Sequence, residues 1–247
     1  MRSRRLLFLV LASLATAAAS DPKEAEKPYK DGLRFEQDGQ WKAADAAYSQ
    51  AIELHPESAL YHLHRARVRL SSGDAAQALD DATAATRLDP NNGEAFQLLG
   101  NIDTQLKMPD QAVAGYTRAI ELGVNNAAIF NARAAAHFTL GENDAALADY
   151  NTGIKLRLDN PEPLRLRGDV YVALQRYSQA IDDYDQSISL KTDNPDAYLG
   201  RGFCRGQLGD FGRAIQDFDH VLAVRPQDAK ALTLRGTARF RLDEKLF

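Results

Sequence analysis

The chain has 247 residues and a formal net charge of −4, with 26% charged and 45% hydrophobic residues. This composition is typical of a soluble protein and lacks the basic excess of a nucleic-acid-binding domain, so we expect no nucleic-acid partner. A single cysteine, Cys204, excludes a disulfide within the chain. Because it falls inside a predicted helix, a buried apolar role is favoured over pairing between molecules.

The first twenty residues have the pattern of a secretory signal peptide. Three arginines are followed by the apolar run 6–14 and then by small residues up to Ser20. We predict a signal peptide over 1–20, cleaved near Ala19 or Ser20, and export to the periplasm or the medium. The apolar run is too short for a permanent membrane anchor. The rival interpretations are a buried helix or a wrongly assigned start codon.

A unit of 34 residues then organises the chain. In 59–92 one apolar-periodic run ends at Gly73-Asp74 and a second ends before Pro90, which predicts two antiparallel helices joined by a turn. Residues 21–27 are polar and are predicted to be a short frayed leader. The unit recurs without insertion, which indicates a solenoid. Six complete copies are 25–58, 59–92, 93–126, 127–160, 161–194 and 195–228, and a partial copy at 229–247 is predicted to be a capping helix.

Certain places within the unit, counted from its first residue, keep the same kind of side chain. Place 8 is small in every copy and place 20 is alanine in every complete copy, whereas place 24 is aromatic in five of the six. A large ring against small neighbours fills the volume of a thin two-layer core. The aromatic residues are Tyr48, Tyr116, Tyr150, Tyr184 and Phe218.

These places resemble the tetratricopeptide repeat family from residue 25 to about residue 243. The resemblance implies an all-α, right-handed α-solenoid whose first helices line a concave groove, mainly through places 2, 5, 6, 9, 12 and 13. The departure is greatest at place 11, normally apolar or aromatic, which here includes Arg69, Asp103 and Arg205.

The same resemblance gives candidate groove residues. A mixed apolar and polar surface suits an extended peptide or a partner helix. The predicted groove residues are Leu63, His64, Arg67, Leu70, Gln97, Asn101, Asn131, Phe138, Arg165, Leu166, Asp169, Leu199 and Phe203, and Val172, Leu234 and Phe240 occupy equivalent places. The alternative for each of them is packing between helices.

A second pattern predicts ion pairs inside the repeats. Place 7 is arginine and place 23 is aspartate in the same four copies, and both are missing from the other two complete copies. The two places are about equally far from the turn, so we predict a structural bridge within each helix pair, with solvated charges as the rival interpretation. The pairs are Arg65–Asp81, Arg133–Asp149, Arg167–Asp183 and Arg201–Asp217. Arg235 has no such partner and is predicted to be free or to reach Asp217.

The sequence contains none of the common catalytic or phosphate-binding motifs, and its aspartate-rich runs fall in predicted helices rather than in an ion-binding loop. We therefore expect neither enzymatic activity, nor a cofactor, nor a metal. The function predicted first is an exported adaptor that binds a protein or peptide in its groove. The alternative is a structural or regulatory accessory subunit of a cell-envelope assembly. The oligomeric state is left open.

Overall fold

The computed structural model describes residues 22–244, and this part of the chain forms thirteen α-helices and no strands. The helices are α1 (Pro22–Gln37), α2 (Trp41–Leu54), α3 (Ala59–Ser71), α4 (Ala75–Leu88), α5 (Gly93–Gln105), α6 (Pro109–Glu121), α7 (Ala127–Thr139), α8 (Asn143–Leu156), α9 (Pro161–Ala173), α10 (Tyr177–Leu190), α11 (Pro195–Gln207), α12 (Phe211–Val224) and α13 (Ala229–Glu244). The predicted signal peptide lies outside the described residues.

The helices form six antiparallel pairs, α1–α2 to α11–α12, followed by α13. From α3 onward the odd-numbered helices begin at residues 59, 93, 127, 161, 195 and 229, which are 34 residues apart. From α3 to α13 each odd-numbered helix contacts the next odd-numbered one, while consecutive even-numbered helices in the described chain make no comparable contact. The all-α solenoid is therefore curved with its odd-numbered helices on the inner side, and these helices position the functional surface.

The core of five of the six pairs is an aromatic ring packed against a residue with little or no side chain, and the pair α3–α4 has Ala82 in place of the ring. Tyr116 and Tyr184 are each 1% exposed. A Cβ added to Gly100 would lie 2.7 Å from the ring of Tyr116, and one added to Gly168 would lie 2.8 Å from that of Tyr184. Place 8 is small because the ring at place 24 occupies the space of its side chain, as the sequence predicted.

The turn inside each pair places one residue in the left-handed region at place 15. Glycine fills it at Gly39, Gly73, Gly141 and Gly209. Two copies use a larger residue there, Lys107 with φ 59° and Gln175 with φ 57°. A residue with a Cβ costs about 1–2 kcal/mol in this conformation, so copies three and five have strained turns that the tertiary contacts maintain.

The N-terminal segment differs from the prediction of a frayed leader over 21–27. Helix α1 begins at Pro22 and continues through Pro28, and Ala25 is fully buried. Ala25 anchors this first turn to the core, while the charged residues around it are exposed.

At the other end, α13 covers α12 with Ala231 and Ala238, as a capping helix should, yet it leaves Leu232 and Phe240 exposed. Cys204 is a free cysteine buried in the core, which agrees with its predicted apolar role. None of the helices in the described residues is both long and apolar enough to span a membrane.

Candidate functional site

The inner side of the curve carries a cavity of about 490 Å³ in the C-terminal half of the array. Helices α7, α9, α11 and α13 supply most of its wall. It contains five of the predicted groove residues together with neighbours at equivalent places. The lining residues are Phe138, Arg165, Asp169, Val172, Tyr184, Asp196, Leu199, Gly200, Phe203 and Lys230. We call this the groove cavity.

Apolar and charged groups lie side by side in the groove cavity. Phe138, Val172, Leu199 and Phe203 are half-buried, so each packs against the core with one face and leaves the other available. Phe203 meets Tyr177 edge-on, with ring centroids 6.2 Å apart. These rings and branched side chains can receive an apolar group from a ligand, because burying it removes water from both surfaces.

The charged part of the groove cavity is a fixed chain of hydrogen bonds. Arg165 donates to Glu162, with Nη2–Oε1 at 2.5 Å, and to Asp169, with Nη1–Oδ2 at 2.7 Å. Tyr184 donates its hydroxyl to the other Asp169 oxygen at 2.6 Å. Burial raises the pKa of Asp169, although the hydrogen bond from Tyr184 and the charge of Arg165 oppose the change. The network orients the Arg165 guanidinium along the cavity wall.

Gly200 allows this arrangement. A Cβ at Gly200 would lie 2.5 Å from Cζ of Tyr184, so only glycine lets α11 approach the hydroxyl end of that ring. The equivalent ring of the preceding copy, Tyr150, is fully buried and its hydroxyl has no hydrogen-bond partner. The hydroxyl groups of Tyr48, Tyr116 and Tyr184 donate to polar side chains at place 9 or 12 of their own copies. In the copy of Tyr150 these places hold Ala135 and Phe138, which cannot accept a hydrogen bond through their side chains.

The N-terminal half of the inner face is polar instead. His64 Nδ1 lies 3.0 Å from Glu36 Oε2, and its Nε2 lies 3.3 Å from the Tyr29 hydroxyl. Arg67 bonds to Glu94 and lies 3.7 Å from Glu36. These side chains hydrogen-bond to one another, so this end of the groove carries a polar network.

The remaining candidates divide between the groove and the core. Asn101 is exposed and accepts a hydrogen bond from Tyr116 at 2.9 Å, and Gln97 is half-buried on the same helix. Leu70 and Leu166 pack against core clusters.

One of the groove assignments is wrong, because Leu63 is 2% exposed and belongs to the core. Asn131 is half-buried, with its Oδ1 atom buried next to Gly153 without a partner, and its role in the groove stays a prediction. Leu63 occupies place 5, which in copy five holds Arg165 on the cavity wall, so the place number alone does not determine whether a side chain faces the groove or the core.

The four predicted arginine–aspartate pairs lie within hydrogen-bonding distance, each through two parallel N–H···O bonds. The Nε–Oδ2 and Nη2–Oδ1 distances are 2.8 and 2.7 Å for Arg65–Asp81, 2.7 and 2.8 Å for Arg133–Asp149, 2.8 and 2.5 Å for Arg167–Asp183, and 3.2 and 2.6 Å for Arg201–Asp217. This bidentate geometry matches the planar guanidinium to a carboxylate. The aspartates are buried, so the pairs are not solvated surface charges.

Each of these arginines also reaches the preceding repeat, which the sequence analysis missed. The Nη1 atom donates to place 25 of the previous copy, for example Arg133 to Thr117 at 3.0 Å and Arg167 to Asn151 at 2.6 Å. Arg235 follows the same rule and bonds to Asp219 at 2.6 Å, not to Asp217. The consistently polar residue at place 25 could have revealed these links. We call the connected series the Arg–Asp ladder.

Place 11, the least family-like position, also belongs to the ladder in some copies. Arg69 Nη1 donates to Asp81 at 2.7 Å and Arg205 Nη1 donates to Asp217 at 2.9 Å. Burial would raise the pKa of Asp81, but hydrogen bonds from His62 and Arg65, with the charges of Arg65 and Arg69, outweigh it and lower that pKa. The copy of Asp183 has Tyr171 at place 11 and so lacks the second arginine. Burial there outweighs the hydrogen bond and the charge of Arg167, and the pKa of Asp183 is raised.

The curved array of helix pairs and its lined inner groove define an α-solenoid of the protein-interaction type. Models described as tetratricopeptide repeat match residues 29–93 and 195–228, and one described as TPR repeat matches residues 168–209. The chain therefore belongs to the tetratricopeptide repeat family, whose members generally mediate contacts between proteins.

Among curated proteins, the chain is 33% identical over 96 residues to the small glutamine-rich tetratricopeptide repeat-containing protein 2 of Mycosarcoma maydis. That match covers 39% of this chain and 27% of the relative, so the chain spans about a quarter of the relative's length.

Among solved structures, the chain resembles YrrB, described as a TPR protein with an unusual peptide-binding site, with a TM-score of 0.70 and 19% identity over 77% of this chain and 98% of that one. It also resembles the type IV pilus biogenesis factor PilW, with a TM-score of 0.71 and 14% identity over 86% of this chain and 98% of that one. At these identities the two likenesses show the fold.

Proposed function

We propose that this protein is an exported, non-catalytic adaptor that binds an extended peptide or a partner helix in its concave groove, with the groove cavity as the main anchoring point. The observation that carries the proposal is the convergence of Phe138, Leu199 and Phe203 beside the Arg165–Asp169 pair. Apolar groups supply binding free energy, and a fixed polar pair selects the orientation of the ligand.

The charges around the groove cavity define the ligand further. Arg165 is already bonded to two carboxylates, so it is not free to capture an acidic residue. At the rim, Asp196 is paired with Arg225 at 2.7 Å. An uncharged apolar side chain in the cavity, flanked by backbone amides that can bond to Asp169 and Arg165, fits this arrangement best.

Export rests on the sequence of residues 1–20, where a charged start, a short apolar run and small residues occur in the order of a signal peptide. Cleavage near Ala19 or Ser20 would leave 27 basic and 34 acidic residues. N-terminal sequencing of the mature protein tests this part independently, and a mature chain that begins at Met1 would contradict it.

Peptide selection tests the groove. A displayed library of random peptides is selected against the chain from residue 21 onward, and the affinity of the enriched peptide is measured by fluorescence anisotropy. Phe203→Ala should weaken binding by about tenfold or more because it removes an apolar anchor from the cavity wall. Leu158→Ala is the control, since Leu158 is 73% exposed in the loop after α8, away from the groove.

Folding is measured on the same variants by urea denaturation. Truncating a fully packed phenylalanine costs about 3–5 kcal/mol, and half-buried Phe203 should lose less. If Phe203→Ala keeps full affinity, or loses it only through a core-sized loss of stability, the groove assignment is wrong.

The alternative function, an accessory subunit of a cell-envelope assembly, is favoured by one feature. Helix α13 exposes Phe240 at 62% and Leu232 at 43%, which offers an apolar surface at the end of the array. Phe240 stands at a groove place of the partial copy, but it is not part of the wall of the groove cavity. Under this alternative Phe240→Ala, rather than Phe203→Ala, should abolish assembly with the partner.

A further inference from the structure

The Arg–Asp ladder is interrupted in copy three. Place 7 is Leu99 instead of arginine, and place 23 is Gly115 instead of aspartate. A Cβ at Gly115 would lie 3.0 Å from the backbone nitrogen of Gly100, so α5 and α6 approach too closely at this point for an aspartate. Copy three therefore lacks both the arginine and the aspartate of the ladder, although copies two and four on either side of it have both.

A cavity of about 400 Å³ occupies the space that the missing arginine would fill. None of its lining residues lies at a groove place, so it is separate from the groove cavity. Its walls are largely apolar. The lining residues are Leu79, Thr83, Phe96, Leu99, Asp103, Met108, Gln111, Ala114, Gly115 and Arg118.

One of these residues is a buried carboxylate without a partner. Asp103 is 3% exposed, its carboxylate oxygens are not among the fully shielded atoms, and no described residue forms a hydrogen bond or an ion pair with them. Burial raises the pKa of this carboxyl group, with no cation to oppose the change. A carboxylate that is largely removed from water and has no cationic partner gains from binding one, because the charge is only partly solvated.

The cavity reproduces the surroundings of the ladder arginines. Thr83 stands at place 25 of copy two, and its counterpart Thr117 accepts a hydrogen bond from Arg133 at 3.0 Å. Asp103 stands at place 11, whose side chains in copies two and six reach the ladder. A carboxylate, a hydroxyl and an apolar channel are the groups that bind a guanidinium with its alkyl stem.

The chain does not itself supply the cation. Arg118 lies at the rim, where its Nη1 atom bonds to Glu121 at 3.0 Å and its guanidinium lies 5.9 Å from the centre of the Phe96 ring. It therefore forms part of the wall and leaves Asp103 unpaired.

We propose that the cavity at Asp103 binds an arginine side chain presented by a partner protein, which completes the ladder in copy three. This is a second interaction site, outside the groove, and it does not depend on what the groove binds. The partner's guanidinium lies against Asp103 and Thr83, and its methylene groups lie along Leu99 and Met108.

Met108 provides a direct probe, because Met1 is the only other methionine. The chain from residue 21 onward, labelled with ¹³C at the methionine methyl group, has one signal at the cavity. The acetylated, amidated tripeptide Ala-Arg-Ala is titrated into the full mature chain, with its citrulline counterpart as the neutral isosteric control. The arginine peptide should shift the Met108 signal to saturation, and the citrulline peptide should bind at least about tenfold more weakly.

Two variants locate the contact. Asp103→Asn should weaken arginine binding by at least about tenfold. Leu99→Arg should abolish it, because an arginine one helical turn before Asp103 fills the cavity from within the chain. Circular dichroism checks the folding of both, and if one does not fold the other decides the question. No saturable shift, equal binding of citrulline, or unchanged binding to either folded variant would overturn the proposal.

Discussion

Arg167 and Asp183 are joined by two parallel hydrogen bonds, with Nε–Oδ2 at 2.8 Å and Nη2–Oδ1 at 2.5 Å, and the aspartate side chain is 3% exposed. The third guanidinium nitrogen donates to Asn151 of the preceding repeat at 2.6 Å. One side chain therefore links the two helices of its own repeat and the repeat before it, which makes the pair part of the solenoid's stacking.

A double-mutant cycle on Arg167 and Asp183 should give a coupling free energy of about 1.5–3 kcal/mol, the range for hydrogen bonds to charged groups. Exposed pairs give only about 0.2–1 kcal/mol. Each single alanine variant should lose more, about 3–5 kcal/mol, because the partner charge stays buried and unpaired. Urea denaturation measures all four proteins, and additive losses would contradict the bridge.

Asp81 and Asp103 should respond oppositely to replacement by asparagine. Asp81→Asn should lose about 3–5 kcal/mol of stability at neutral pH, because the guanidinium groups of Arg65 and Arg69 lose the buried carboxylate that they share. Asp103→Asn should leave stability unchanged or raise it, since that carboxylate has no partner. A large loss for Asp103→Asn would show an interaction that this account lacks.

The pH dependence of the same two residues separates them further. The pKa of Asp81 is lowered, so its contribution is present above the ordinary aspartate value of about 3.9 and is lost as pH falls through the lowered pKa. The pKa of Asp103 is raised, so the folded protein favours the protonated carboxyl group. Its contribution to stability is present below about pH 3.9 and is lost as the pH rises through the raised pKa. Denaturation curves from pH 2 to 7 measure the difference in the free energy of unfolding between each asparagine variant and wild type. The loss of stability in Asp81→Asn and any gain in Asp103→Asn should both become smaller as the pH falls.

The two neighbouring tyrosines form a matched pair. Tyr184→Phe should lose about 1.5–3 kcal/mol, because its hydroxyl donates to the Asp169 carboxylate at 2.6 Å. Tyr150→Phe removes a buried hydroxyl with no partner and should be neutral or stabilising. Thermal unfolding of the two variants decides this, and equal losses would be the contrary result.

Glycines at place 8 should differ according to what surrounds them. Gly100→Ala drives a Cβ to 2.7 Å from the Tyr116 ring and should cost about 1–3 kcal/mol. Gly236→Ala, at the same place in α13, meets no atom within 4 Å and should stabilise by about 0.5–1 kcal/mol through helix propensity. Loss of stability in both would mean that α13 is packed more tightly than the structure shows.

The parts of the fold that the sequence predicts are those that repeat. The two helices of each copy pack in the same way, so the places that form their contact keep the same kind of residue. A comparison of the copies therefore reveals the ring at place 24 and the small residue at place 8, such as Tyr116 and Gly100. The four arginine–aspartate pairs were found in the same way, because presence and absence track together. These features require only the period and the antiparallel arrangement.

What the sequence misses depends on how one copy differs from the next. Leu63 and Arg165 share place 5, yet one is core and the other lines the groove cavity, because their neighbours differ. The links to place 25 cross from one repeat to the next, and a comparison within single repeats does not reveal them. The cavity at Asp103 depends on three departures from the repeat pattern, Leu99 at place 7, Asp103 at place 11 and Gly115 at place 23. In the sequence they look unrelated, and only the structure shows that they lie together.

Site-specific photocrosslinking in cells that make the protein tests the central claim, binding in the groove, most directly. A benzoylphenylalanine replaces Phe203 in the groove cavity, Leu158 in an exposed loop or Phe240 on α13, in separate variants, and the yield of crosslinked partner is measured. The account predicts a partner crosslinked from position 203 at several times the yield from position 158, and little from position 240. Crosslinks confined to position 240, or equal yields from 203 and 158, would contradict it.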